Sequence, residues 1–133
     1  MTFTVSSIPQ PLKVVLKAVV LAPPLARLGY LYATSVGLLW GGVLSTGRIR
    51  RVNGLFVCSG VPKWAFSRGG SCIGGVYLTD TNAGPTVLEH EAVHRLQWQK
   101  YGLVFPLAYF LAGNDPLTNR FEIEAGLEKG GYR

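Results

Sequence analysis

The run His90-Glu91-Ala92-Val93-His94 constrains this chain more than any other stretch. Two histidines at i and i+4 lie one turn apart on one helical face, so both imidazoles can reach a single ion at zinc–nitrogen distance. The flanking sequence supplies the helix. Gly84-Pro85-Thr86 is a start with proline in the first turn, and Gly102 after Tyr101 is a stop. Between them TVLEHEAVHRLQWQKY makes about four turns. Glu91, beside the first histidine, points next to the metal without ligating it. It can hold a metal-activated water and accept its proton as the water attacks a carbonyl. A pair of ordinary histidines on an amphipathic helix is the competing reading. Against it, these are the only two histidines in the protein.

A catalytic zinc site takes three protein ligands and leaves the fourth position to water. No further histidine is available and the thiols lie far upstream, so the third ligand is expected to be a carboxylate. The downstream segment LTNRFEIEAGLEK, read as a helix begun by Asn114-Asp115-Pro116 and ended by Gly130-Gly131, offers Glu122, Glu124 and Glu128. Glu122 has Ala125 and Gly126 at i+3 and i+4, a face smooth enough for close approach to another helix. Glu124 and Glu128 share a face with Arg120, which suits a solvated charge cluster.

With 133 residues the chain makes one domain, residues 1–133, and 48% hydrophobic against 15% charged residues describes a globular one. Pro11 to Ala22 reads as a short basic, apolar helix stopped by Pro23-Pro24. Leu28 to Gly47 carries no charge. That length reaches the roughly 20 residues of a membrane span, but its glycines and polar residues suit a buried helix and loop at least as well. Leu55–Ser59, Lys63–Ser67 and Ile73–Thr79 read as a three-stranded antiparallel meander. Val104–Ala112 is a second apolar helix or an extended run. The fold class expected is therefore α+β: N-terminal helices, a small meander, the HExxH helix and a C-terminal glutamate helix.

HEAVH followed one helix later by Glu122-Ile123-Glu124-Ala125 resembles the gluzincin group of zinc metallopeptidases, and the short length is similar to the single-domain minigluzincins. The likeness spans roughly Thr86 to Lys129. It implies a zincin-like domain with one Zn2+ on His90, His94 and Glu122, and Glu91 as catalytic base. It also implies that the strand Gly75–Thr79 forms the upper rim of the cleft, where an extended peptide or protein substrate could pair by β-addition. In many gluzincins an aspartate follows the E-x-x-A alanine and braces a zinc-bound histidine; Gly126 stands there in this chain. Asn119 or Asp115 is then expected to serve as the brace. No histidine is left to stabilise an oxyanion, which leaves Tyr109, Arg120 or Tyr132.

Charge is unevenly placed. No Asp or Glu precedes Asp80, so Lys13, Lys17, Arg27, Arg48, Arg50, Arg51, Lys63 and Arg68 are eight uncompensated cations. Such asymmetry favours an anionic partner, above all a peripheral membrane contact through the basic N-terminal part. No nucleic-acid motif accompanies it, so specific nucleic-acid binding is not expected. Lys13 comes late and Pro23-Pro24 interrupts the apolar region, so a cleaved signal peptide is not expected and the setting is cytoplasmic or membrane-associated. A pairing of Cys58 with Cys72 across a hairpin is the alternative to reduced, half-buried thiols, which fit better. Gln97 and Trp98 could line the cleft, with helix packing the simpler role for Trp98. The glycine pairs at 41–42, 69–70 and 74–75 lack the strand and helix setting of a phosphate-binding loop. Two functions stand against one another: a zinc-dependent peptidase, and a non-catalytic zinc-stabilised binding domain docking at a membrane surface or anionic partner.

Overall fold

Asn53 and Gly54 both take positive φ, 52° and 80°, the pair of left-handed residues that a tight two-residue hairpin needs. They fold β1 (Arg50–Val52) antiparallel onto β2 (Leu55–Cys58). In the second turn Gly74 alone takes positive φ, 59°, and β3 (Gly70–Ile73) folds back antiparallel onto β4 (Val76–Thr79). A computed structural model of the chain, describing residues 10–13, 22–46 and 49–132, places these hairpins side by side. β2 and β4 run parallel, giving a four-stranded mixed sheet of order β1-β2-β4-β3.

The expected three-stranded antiparallel meander is thus corrected. Lys63–Ala65 is a 3-10 turn. Ile73–Thr79 contains the Gly74-Gly75 turn, and Asn53-Gly54 adds a strand upstream. The segment between the two hairpins carries the chain across to the far edge, so β2 and β4 meet in parallel.

Each sheet face has its own apolar cluster. Cys58, Val61, Val76 and Leu78 face one side, where Leu38 and Leu44 of α1 (Pro23–Leu44) pack. Leu55, Val57 and Tyr77 face the other, against Leu88 of α2 (Pro85–Tyr101). Cys58 and Cys72 project from opposite faces, since Cys72 is registered with Tyr77 and Cys58 with Leu78. Both are free thiols, Cys58 buried and Cys72 partly so. A third cluster of Ala33, Trp98, Phe105 and Phe121 ties α1 and α2 to α3 (Phe105–Leu111) and α4 (Arg120–Ala125).

Pro23-Pro24 opens α1 rather than only closing what precedes it, because proline's missing N–H costs nothing in a first turn. The helix expected over Pro11–Ala22 falls mostly on residues 14–21, outside the described ones; residues 10–13 are helical. The uncharged stretch from Leu28 lies in α1 as far as Leu44, and no described helix is long and apolar enough to cross a membrane. Its inward stripe is built from small residues because the backbone comes so close. A Cβ on Gly41 would sit 2.6 Å from Cys58 Sγ, and one on Gly37 would sit 2.9 Å from Val76 Cβ.

The apolar run Val104–Ala112 is helical, as α3. The glutamate helix is much shorter than the sequence suggests. Asn119 caps its start by accepting from Phe121 N, and Gly126 at φ 99° ends it, leaving Glu128 outside.

Candidate metal centre

α2 buries an unusual set of polar side chains: His90, Glu91, His94 and Gln97. Polar groups out of water need partners, and those of His90, His94 and Gln97 come largely from α4 and the turn after it. Glu122, buried in the first turn of α4, places Oε1 2.7 Å from His94 Nε2 and 3.0 Å from His90 Nε2. The two Nε2 atoms are themselves 3.0 Å apart.

The far sides of both rings fix their chemistry. His90 Nδ1 lies 2.7 Å from the Gly126 carbonyl oxygen, and His94 Nδ1 lies 2.7 Å from Gln97 Oε1. Gln97 is oriented in turn by donating Nε2 hydrogens to Phe121 O and Glu124 Oε1. Oxygen acceptors at both Nδ1 positions put the ring hydrogens there and turn both Nε2 lone pairs inward. Three acceptors then crowd together with no hydrogen between them, an arrangement that takes up a cation or a proton. His90, His94 and Glu122 therefore form a buried group that could hold a metal ion, their ligand atoms all within 4.8 Å of one another. The donor set of two imidazoles and one carboxylate fits such an ion.

No family model, curated protein or solved structure matches this chain. The site must be understood from its own geometry.

Glu122 Oε2 is held separately. It accepts from Tyr109 OH at 2.7 Å, from Tyr132 OH at 3.2 Å and from Arg68 Nη1 at 3.4 Å. Burial works against the charged form of Glu122, but its contacts with His90 and His94 outweigh it and hold the carboxyl well below the usual range. For His94, burial favours the neutral ring, yet the Glu122 contact and the Glu91 charge raise its pKa overall. Burial pushes the Glu91 carboxyl up to about 7, against the pull of His94 and His90. Over His90 the chain passes at Gly130, where a Cβ would stand 2.5 Å from the imidazole Cε1. Only glycine permits that approach.

These groups open onto a cleft of about 450 Å³. Glu91, His94, Glu122, Arg68, Tyr109 and Tyr132 give it polar walls; Trp98, Phe105, Pro106 and Phe110 give it apolar ones. Gly70, Ser71 and Cys72 of the edge strand β3 form one side. The rim expected on Gly75–Thr79 is corrected accordingly, because β4 is paired on both sides and has no free edge.

Of the sequence-stated candidates, His90, Glu91, His94, Glu122, Tyr109 and Tyr132 come together. Arg120 does not: it is exposed, 3.4 Å from Tyr101 OH and over the Phe121 ring. Nor do Asn119 and Asp115 brace a histidine. Asn119 ties α4 to Tyr109 O and Gly113 O, and Asp115 accepts from Leu117 N. Gln97 and the Gly126 carbonyl do that work. Glu124 is not a purely solvated charge, since it accepts from Gln97. Arg68 was counted among uncompensated cations, yet it meets Glu122, Tyr109, Tyr132 and Asn114 O. No local signal could reveal it: Arg68 lies 54 residues from Glu122, in a left-handed turn at φ 56°.

Proposed function

We propose that this chain is a zinc-dependent peptidase in which His90, His94 and Glu122 hold the ion and Glu91 is the general base. One observation carries the reading: two inward Nε2 lone pairs and a carboxylate oxygen converge at one point, with Glu91 in the same cleft. When bound, the ion polarises a substrate carbonyl and makes water nucleophilic at neutral pH. Glu91 follows the first ligand in sequence and stays out of the ligand cluster, which leaves its carboxylate available for proton transfer. A carboxylate whose proton affinity is raised by burial is the better proton acceptor, and the proton it takes up can pass to a leaving amine. Tyr109, Tyr132 and Arg68 line the polar end of the cleft and donate to Glu122 Oε2; a donor that turned from that oxygen to the substrate would meet charge developing on a carbonyl oxygen. β3 is the edge strand beside the cleft, with Cys72 O taken by Trp98 Nε1 and Gly70 N by Ser67 O, and an extended peptide could add there as a further strand through the groups that are left.

The test is Glu91→Gln. It removes the proton acceptor and preserves shape, so the variant should keep its metal and fold while cleavage of a peptide library falls to background. A second reading, a metal-stabilised domain without catalysis, draws support from the three donors that close over Glu122 Oε2. Under it, wild type and Glu91→Gln would carry equal metal and both leave every peptide intact.

A further inference from the structure

We propose that the outer face of α1 docks peripherally on an anionic membrane surface. The helix has two unlike faces. Ala26, Gly29, Ala33, Gly37 and Gly41 are buried, with the sheet and the Gly102–Leu103 backbone pressed against the glycines. On the opposite side Leu28, Tyr32, Leu39 and Val43 are each more than 60% exposed, at 62, 63, 71 and 74%. At 100° per residue these positions form one stripe along the helix. A continuous apolar strip on a surface helix marks an interaction site.

Two further observations say what covers it. The first is aromatic. Trp40 and Trp64 are both exposed and meet edge to face with ring centroids 6.0 Å apart, and Trp40 Nε1 donates to Ala65 O. Tryptophans presented in this way favour the boundary between headgroups and acyl chains. The second is charge. Lys63 is exposed beside Trp64. Arg51 stands on the α1 side of the sheet, since its register partner Phe56 packs on the same cluster as Leu38 and Leu44, and its guanidinium lies 4.0 Å over the Phe56 ring. Neither cation belongs to an ion pair among the described residues, and no acid precedes Asp80 in the sequence. An apolar stripe with Arg51 and Lys63 on the same side of the fold complements anionic headgroups over a lipid boundary.

The experiment is cosedimentation of the full chain with phosphatidylglycerol-containing vesicles and with phosphatidylcholine vesicles, at low and physiological salt. Binding to the anionic vesicles should weaken with salt, as exposed charges are screened over about 10 Å at 0.1 M. Leu39→Asp/Val43→Asp and Arg51→Gln/Lys63→Gln should each weaken it by roughly tenfold. All four positions are accessible, so circular dichroism should be unchanged. Tryptophan emission should shift to the blue on binding, and Trp40→Phe/Trp64→Phe should abolish the shift while buried Trp98 remains. Failure to sediment at low salt would overturn the proposal. So would binding indifferent to Leu39→Asp/Val43→Asp, which would place the contact on another segment. A dimer that Leu39→Asp dissociates, with no vesicle binding, would make the stripe a contact between copies instead.

Discussion

At the residue scale, the ligand geometry separates side chains that lie close in sequence. His94→Ala and Glu122→Gln should strip the metal, whereas Glu124→Gln should do little, because a glutamine there still accepts from Gln97; metal content after gel filtration distinguishes them. Gln97→Ala removes the acceptor that sets the His94 tautomer, and should weaken metal affinity by about 10- to 100-fold in a competition titration. Gly130→Ala should weaken it as well, by pushing His90 aside. The chelated protein should also show a distinctive pH dependence. His94, raised on folding, adds stability that is full below its ordinary 6.5 and lost as pH rises through the folded value. Glu122, depressed on folding, adds stability that is full above its ordinary 4.5 and lost as pH falls. Glu91, raised to about 7, destabilises as it ionises above 4.5. The Glu122 contribution is in place at both pH 5.5 and pH 7.5, so the His94 and Glu91 signs decide, and both make the metal-free protein more stable near pH 5.5 than near 7.5, a difference that thermal melts in chelator would read. The HExxH spacing made His90, Glu91 and His94 legible because helical period alone brings them together. Arg68 and the bracing role of Gln97 were not, since both depend on where α4 and the loops arrive.

Among the elements, α1 carries the clearest contrast between adjacent positions. Gly41 faces the sheet and Gly42 faces open space. Gly41→Ala should therefore destabilise by about 1–3 kcal/mol through overpacking. Gly42→Ala should stabilise by about 0.5–1 kcal/mol through helix propensity. Chemical denaturation of the two variants checks both. α2 was readable from its proline start and its glycine stop, whereas Pro23-Pro24 reads as the stop of the segment before it although it opens α1. The sheet was not: Asn53-Gly54 is a strong hairpin signal lying between cationic and apolar residues, and Gly74-Gly75 breaks what reads as one strand. The parallel pairing of β2 with β4 is set by a long crossover that no local pattern encodes. α4 was overextended because Leu127-Glu128-Lys129 has helical composition, while Gly126 in a left-handed conformation ends the helix before it.

For the whole molecule, a small domain has put its least soluble polar chemistry, two imidazoles and two carboxyls, at the junction of α2 and α4. A metal that binds only the folded state offsets that burial. At a thousandfold excess over Kd it adds about 4 kcal/mol, so chelation at neutral pH should lower Tm by about 10–20 °C. The proposed membrane face and the candidate metal centre lie on different parts of the fold, so Leu39→Asp/Val43→Asp should leave metal content untouched. The most direct test of the metal centre is zinc K-edge absorption on protein purified without chelators, paired with elemental analysis. One zinc per chain in a shell of nitrogen and oxygen only, with two imidazoles, and absent from His94→Ala, is the result predicted. A chain devoid of metal at neutral pH, or a shell containing sulfur from Cys72, would contradict it.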